Sequence, residues 1–107
     1  MVYTKIEDSI VHDHRNYVRH PEFLEPVVRM GEALQQYKKT NEDEALEFAI
    51  EVGEFIRRHL NFQTVPTELK IGVFELAGHA YQLRYDSKGA LDDLNNVVEC
   101  YERAARL

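Results

Sequence analysis

The sequence contains few residues of several types, and each shortage excludes a class of protein. Its 107 residues include a single cysteine, Cys100, so no disulfide can form within the chain and we expect a reducing compartment. No apolar stretch approaches the roughly 20 residues that span a bilayer, and the N-terminus does not resemble a signal peptide. Acidic residues outnumber Lys and Arg by 19 to 13, which argues against binding to nucleic acid or to an anionic membrane surface. These absences predict a cytoplasmic protein.

Proline and glycine are also scarce, and they separate segments of regular apolar spacing. With 3 Pro and 5 Gly in the chain, the apolar residues between them recur at every third or fourth position, which is the period of an α-helix. No stretch shows the period of two that is typical of a strand. The sequence therefore predicts an all-α fold of five helices.

The helix boundaries are predicted from capping residues and prolines. The first helix is expected over residues 5–18, before Pro21. The second begins near Pro26, because proline is tolerated in the first turn of a helix, and Asn41 is expected to cap the third. The fourth and fifth helices are expected over residues 66–85 and 91–106, and Gly89 supplies any positive φ that the turn between them requires.

Apolar spacing predicts which face of each long helix is buried. The residues expected in the core from the third helix are Ala45, Phe48, Ala49, Val52, Phe55 and Ile56. Four glutamates are expected on its solvated side, namely Glu44, Glu47, Glu51 and Glu54. The last helix is expected to bury Leu94, Val97, Val98, Tyr101 and either Ala104 or Ala105.

The chain also contains an internal repeat with a period of about 47 residues. The segment that starts at Met30 aligns with the segment that starts at Ala77, so that Gly31 matches Gly78. A period of this size fits a unit of two helices. A glycine at the matched position would let the partner helix approach closely, because no side chain separates the two backbones.

The second unit resembles the longer tetratricopeptide repeats of fungal and bacterial signalling proteins. The matching positions are Ala77, Gly78, Tyr81, Arg84, Tyr85, Gly89, Ala90, Leu91, Asp93, Leu94, Val97, Val98, Tyr101 and Ala104. The resemblance covers about two-thirds of the chain. It implies one domain, residues 1–107, that forms a right-handed superhelix: an N-terminal helix (1–20) followed by two stacked hairpins (24–60 and 66–107).

The resemblance also implies that the first helix of each hairpin lines a groove for a peptide or a partner helix. The groove positions in the first unit would be Glu25, Val28, Glu32, Gln35 and Gln36. Those in the second unit would be Gly72, Glu75, His79, Gln82 and Leu83. Chaperone-binding members of the family use basic residues and Asn there to bind a terminal carboxylate. The acids and glutamines of this chain predict a neutral or basic ligand instead.

The C-terminal end of the predicted repeat array has no capping helix. We expect the residues there to contact a second copy of the chain, a protein partner or further repeats. These residues are Tyr101, Ala104, Ala105 and Leu107. The resulting hypothesis is a non-enzymatic module that binds a protein or peptide and uses no cofactor and no metal. A homodimer is one form that this binding could take.

Two alternatives from other functional classes remain open at the level of sequence. Arg15 and His20 fit the Arg-polar-x-x-x-His pattern of HEPN-type helical ribonucleases, in which the histidine acts as acid or base and the arginine stabilises phosphoryl charge. The segments around His14 and His59 resemble those of haemerythrin-like di-iron bundles, although Gln63 occupies the position where a carboxylate ligand is expected. Cys100 has no positioned base nearby in sequence and is predicted to be an inert buried thiol.

Overall fold

The computed structural model describes residues 23–107, and the helix predicted over residues 5–18 lies outside them. Every regular element in the described range is helical, which confirms the all-α class. The total of five helices, which includes the one predicted over residues 5–18, and the superhelix remain predictions. In chain order the elements are α1 (Leu24–Thr40), α2 (Asp43–Arg58), a short 3₁₀ helix (Leu60–Thr64), α3 (Thr67–Lys88) and α4 (Leu91–Arg106).

Helix α1 begins two residues before the predicted start at Pro26. Its first residue is Leu24, so that Pro26 is the third residue of the helix. The first four N–H groups of an α-helix have no partner inside the helix. The missing donor of Pro26 therefore leaves no hydrogen bond unmade, and the proline does not mark the boundary.

Asn41 ends α1 instead of capping α2, so the prediction for this residue was wrong. It adopts a left-handed conformation with φ of 57°, and its N–H donates to the carbonyl of Tyr37 at 2.7 Å. Asparagine is one of the few residues that tolerate this conformation. Glu42 takes the N-cap position of α2, and its amide donates to Thr40 Oγ1 at 3.2 Å.

The last two helices confirm the predicted role of Gly89. This glycine has φ of 73°, and its N–H donates to the carbonyl of Tyr85 at 2.7 Å, which closes the end of α3. Helix α3 continues to Lys88, three residues beyond the predicted end. Helix α4 spans Leu91–Arg106, as predicted.

The four α-helices form two pairs. Helix α1 packs chiefly on α2 and α3 chiefly on α4, and each pair is joined by a connection of only two residues. Helix α2 packs on α3 and so links the pairs, whereas α1 and α3 share a smaller contact. The connection between the pairs contributes to the core through Phe62, whose ring meets those of Phe23 and Phe74 edge to face at 6.2 and 5.7 Å between centroids.

The buried face of α2 differs from the predicted one, because the buried positions are shifted by about one residue along the helix. The residues that are buried are Leu46, Ala49, Ile50, Gly53 and Ile56. Phe48 and Phe55 were expected in the core, but they are 43% and 58% exposed. Both faces satisfy the helical period, and the glycine makes the buried one look less apolar in sequence. A Cβ on Gly53 would lie 2.9 Å from Met30 Cε, so the methionine occupies the space of the missing side chain.

The buried face of α4 also differs from the predicted one. Val97 and Cys100 are buried, and Asp93 is buried with them. Val98 and Tyr101 were expected to be buried, but they are 50% and 44% exposed. The inward stripe includes the carboxylate of Asp93, so apolar spacing alone does not identify it as the buried face.

A polar cluster joins α2, α3 and α4 at one side of the core. The Asp93 carboxylate accepts hydrogen bonds from Arg84 Nε and Nη2 at 2.7 to 3.0 Å, and Arg84 Nη1 donates to Glu47 Oε2 at 2.7 Å. Asp93 raises the pKa of the Arg84 guanidinium, chiefly through these hydrogen bonds. Because both carboxylates bind one guanidinium, the cluster fixes the first pair of helices against the second.

Tyr81 extends this cluster toward Cys100. Its hydroxyl accepts from Arg57 Nη2 at 3.0 Å and donates to Glu54 Oε1 at 3.2 Å. The Arg57 guanidinium also lies 3.8 Å from Cys100 Sγ. Two of the four glutamates predicted on the solvated side of α2, Glu47 and Glu54, are therefore half-buried and bonded across helices, while Glu44 and Glu51 are exposed.

Candidate protein-binding site

A surface hollow of about 480 Å³ lies between α3 and the C-terminal half of α4. Its α3 wall is formed by residues spaced four apart, which places them on one helix face. Its α4 wall combines one aromatic residue with two small ones. The lining residues are Ile71, Glu75, His79, Tyr101, Ala104 and Ala105.

The hollow owes its shape to Gly78. A Cβ at this position would lie 3.0 Å from Tyr101 Cζ and 3.3 Å from Cys100 Cβ, so α4 packs directly against the glycine. This contact confirms that Gly78 allows the close approach predicted from the repeat. The Tyr101 ring lies against Gly78 of α3 and lines the hollow, while 44% of the residue stays exposed.

His79 has a ring nitrogen that makes no hydrogen bond within the described residues. Its Nε2 atom is buried and has no hydrogen-bond partner among the described residues. Burial lowers the pKa of His79, the positive charge of Lys38 on α1 lowers it further, and Asp86 opposes the change. The imidazole is therefore neutral near pH 7. Because its Nε2 atom is buried, Glu75 and Tyr101 are the polar side chains of the hollow that a ligand can reach.

Glu75 supplies negative charge at the same site. It is exposed, and it contributes to raising the pKa of the Tyr101 hydroxyl, for which burial is the larger cause. Tyr101 therefore remains a neutral hydrogen-bond donor at ordinary pH. The hollow offers apolar surface, one carboxylate and two neutral polar side chains.

The residues predicted to line the groove are only partly brought together. Glu75 and His79 lie in the hollow together with three of the predicted C-terminal face residues, Tyr101, Ala104 and Ala105. Leu107, the fourth member of that face, is exposed. The sequence treated these as two separate surfaces, and the structure places five of their residues in one.

The remaining groove residues lie outside this hollow. On α1, Glu32 and Gln36 are exposed, Val28 is half-buried, and the buried Gln35 Nε2 has no hydrogen-bond partner among residues 23–107. On α3, Gln82 Nε2 donates to Asp86 Oδ1 at 2.8 Å. The other two α3 positions are the exposed Gly72 and the half-buried Leu83.

Glu25 lies in a second, smaller hollow of about 290 Å³ between α1 and α2. The residue pairs with Arg29, whose Nη2 is 2.8 Å from Glu25 Oε1. The exposed rings of Phe48 and Phe55 line the same hollow. It is therefore a separate apolar surface at the other pair of helices.

The sequence prediction missed three residues of the site region. Ile71 lines the hollow, and Leu91 and Val98 are exposed on α4, with Leu91 exposed to 70%. The missed signal is a second apolar stripe on the last helix. Residues 91, 94, 98, 101 and 105 alternate in spacing of three and four, beside the buried stripe at 93, 97, 100 and 104.

Most residues on which the two alternative functions depend lie outside the part of the chain that the structure describes. Arg15 and His20 lie outside the described residues, as do His12 and His14. Within residues 23–107, no three His, Cys, Asp or Glu side chains are grouped closely enough to hold a metal ion. Cys100 is buried, and burial raises the pKa of its thiol, which disfavours the reactive thiolate.

No helix in the described part of the chain has both the length and the apolar character needed to cross a bilayer. Comparisons of the chain with protein-family models, with curated proteins and with solved structures found no match.

Proposed function

We propose that the protein is a non-catalytic interaction module of the tetratricopeptide-like kind, which binds a protein segment at the hollow between α3 and α4. The observation that supports this proposal best is the convergence of Glu75, His79 and Tyr101 on a hollow that continues into exposed apolar residues of α4. Exposed apolar surface beside polar groups is typical of protein-binding sites. A cytoplasmic setting belongs to the same proposal.

The composition of the hollow favours a helix with an apolar face as the ligand. Helix α4 is 16 residues long, and its exposed apolar residues follow helical spacing. A partner helix laid along α4 would place side chains into the hollow at intervals of one or two turns. The exposed carboxylate of Glu75 would then select basic groups at the edge of that helix.

The arrangement of helices also supports the proposal. Two helical pairs that pack through α2 and α3 are expected of stacked hairpins, and Gly78 lies at a helix contact as the repeat predicted. In such stacks each unit covers apolar surface that its neighbour cannot bury alone. Within residues 23–107, the outer face of α4 is left partly uncovered, because Val98 and Tyr101 stay 50% and 44% exposed.

Partner capture with matched variants tests the proposal. The bait is the full chain, compared with Val98→Asp and Phe55→Asp, which place the same charge at similarly exposed positions on α4 and α2. We expect the wild-type chain and Phe55→Asp to retain the same bound proteins, identified by mass spectrometry, and Val98→Asp to lose them. Circular dichroism establishes that both variants are folded. Loss of binding in Phe55→Asp but not in Val98→Asp would assign binding to the α1–α2 side and refute the proposal.

A further inference from the structure

The outer stripe of α4 is an unpartnered helix face with a regular pattern. Leu91, Val98 and Tyr101 are exposed to 70%, 50% and 44%, and Leu94 and Ala105 complete a spacing of three and four residues. This is the pattern by which one helix packs along another in a coiled coil. The neighbouring stripe, which includes Val97 and Cys100, already packs inside the chain.

The two ends of this stripe are complementary to each other. Leu91 is the most exposed of the large hydrophobic residues described, whereas Ala104 and Ala105 are small and line the hollow. Leu91 and Ala105 each lie seven residues from Val98, which corresponds to about 10.5 Å along a helix. In an antiparallel pair of α4 helices centred on Val98, each Leu91 would therefore lie opposite the hollow of the other copy.

Charge along α4 favours the antiparallel orientation. The exposed Asp92 is in its first turn, and the basic residues Arg103 and Arg106 are in its last turns, whereas the buried Asp93 is already bonded to Arg84. Antiparallel pairing brings the Asp92 end of one copy beside the Arg106 end of the other and opposes the two helix dipoles. Parallel pairing would place like charges opposite each other. Arg103 and Arg106 also pair within their own chain, with Glu99 at 3.6 Å and Glu102 at 3.9 Å. The preference for the antiparallel orientation therefore comes chiefly from Asp92 and from the helix dipoles.

We infer that the occupant of the hollow is a second copy of this chain, held by antiparallel pairing of the two α4 helices about Val98. Each copy inserts Leu91 between Ile71, Tyr101 and Ala105 of the other copy. The interface is isologous, so that it closes on itself and gives a dimer. This inference rests on the proposed function, because it names the partner that binds at the same site.

Cysteine cross-linking tests the pairing and its orientation. Val98→Cys is expected to form a disulfide-linked dimer under mild oxidation, because helices that pack 8–10 Å apart bring facing Cα atoms into disulfide range. Leu91→Cys and Ala105→Cys, carried on chains of different mass, are expected to link to each other when mixed and not to link with themselves. These positions are exposed, so the substitutions leave the fold intact.

Two controls make the result specific. The wild-type chain contains only the buried Cys100 and is expected to stay monomeric on a denaturing gel. Phe55→Cys reports chance collisions of a similarly exposed residue on another surface. Cross-linking of Val98→Cys at or below the Phe55→Cys level would overturn the inference. Self-linking of Leu91→Cys at the level of the mixed pair would overturn the antiparallel arrangement.

The outcome is separable from that of the proposed function. If cross-linking fails while partner capture still depends on Val98, the occupant is a different protein and only the dimer inference is refuted. If cross-linking fails and capture does not depend on Val98, both the dimer inference and the proposed function are refuted.

Discussion

Asp93 is a buried charge whose role follows from its contacts. The residue is 3% exposed, and its carboxylate binds the Arg84 guanidinium through two nitrogens. In sequence it is one of two adjacent aspartates in the first turn of α4, and nothing in the local pattern distinguishes it from Asp92. The distinction arises because Arg84, nine residues earlier on α3, faces only one of the two.

We predict that Asp93→Ala lowers the free energy of unfolding by about 2 kcal/mol. Removing one partner of a fully buried ion pair costs roughly 3–5 kcal/mol. The cost here is smaller, because Arg84 is partly exposed and keeps Glu47 at 2.7 Å. Asp92→Ala is the matched control, since it removes an exposed carboxylate from the same helix turn. Chemical denaturation measures both, and equal losses would contradict the assigned role of the Arg84 pair.

His79 gives the site a predicted pH dependence. Because the pKa of His79 is lower in the folded chain than its ordinary value of 6.5, the unfolded chain binds more protons as the pH falls through that value. The folded state is therefore destabilised by acid at this residue, and its contribution to stability is recovered above about pH 6.5.

We expect His79→Gln to reduce the loss of stability between about pH 7.5 and pH 5, because glutamine does not titrate in this range. The measurement is urea denaturation of both proteins at the two pH values. The comparison between variants cancels the titration of the other histidines. The same loss in both proteins would show that His79 has its ordinary pKa in the folded chain.

At the scale of single elements, the helix period predicted where helices occur better than which face they bury. The bounds of α4 were predicted correctly, whereas α3 begins one residue and ends three residues later than predicted. In α2, two overlapping sets of residues fit the same period, one containing Phe48 and Phe55 and the other containing Gly53. Hydrophobicity favours the set with the two aromatic residues. The structure buries the set with Gly53, because Met30 of α1 packs against this glycine, and a contact between two helices is not visible in the sequence of α2.

The helical glycines provide a direct test of this packing. A Cβ on Gly72 would meet no atom within 4 Å, so Gly72→Ala is expected to stabilise the protein by about 0.5–1 kcal/mol through reduced backbone entropy. Gly53→Ala gains the same entropy but displaces the buried Met30 methyl group, and we expect a net loss of about 1 kcal/mol. Thermal and chemical denaturation measure both. Stabilisation by both substitutions would contradict the tight contact at Gly53.

At the scale of the whole molecule, the pairing of helices could be predicted from the sequence. The residues of the candidate binding surface could be predicted only in part. The repeat alignment pointed to Gly78, and the chain end pointed to Tyr101, Ala104 and Ala105. Their union with His79 in one hollow could not be predicted, because it depends on how closely α4 approaches α3. The outer stripe of α4 was overlooked for another reason: Val98 and Tyr101 were assigned to the core.

We propose that the outer face of α4 and the adjoining hollow form a protein-binding surface, occupied by a second copy of the chain. The concentration dependence of amide chemical shifts in solution NMR tests this pairing residue by residue. We expect shifts to change with concentration along the stripe and at the facing residues of α3, which are Leu91, Leu94, Val98, Tyr101, Ala105, Ile71 and His79. Shifts that stay constant at these residues, or that change only around Phe48 and Phe55, would contradict it.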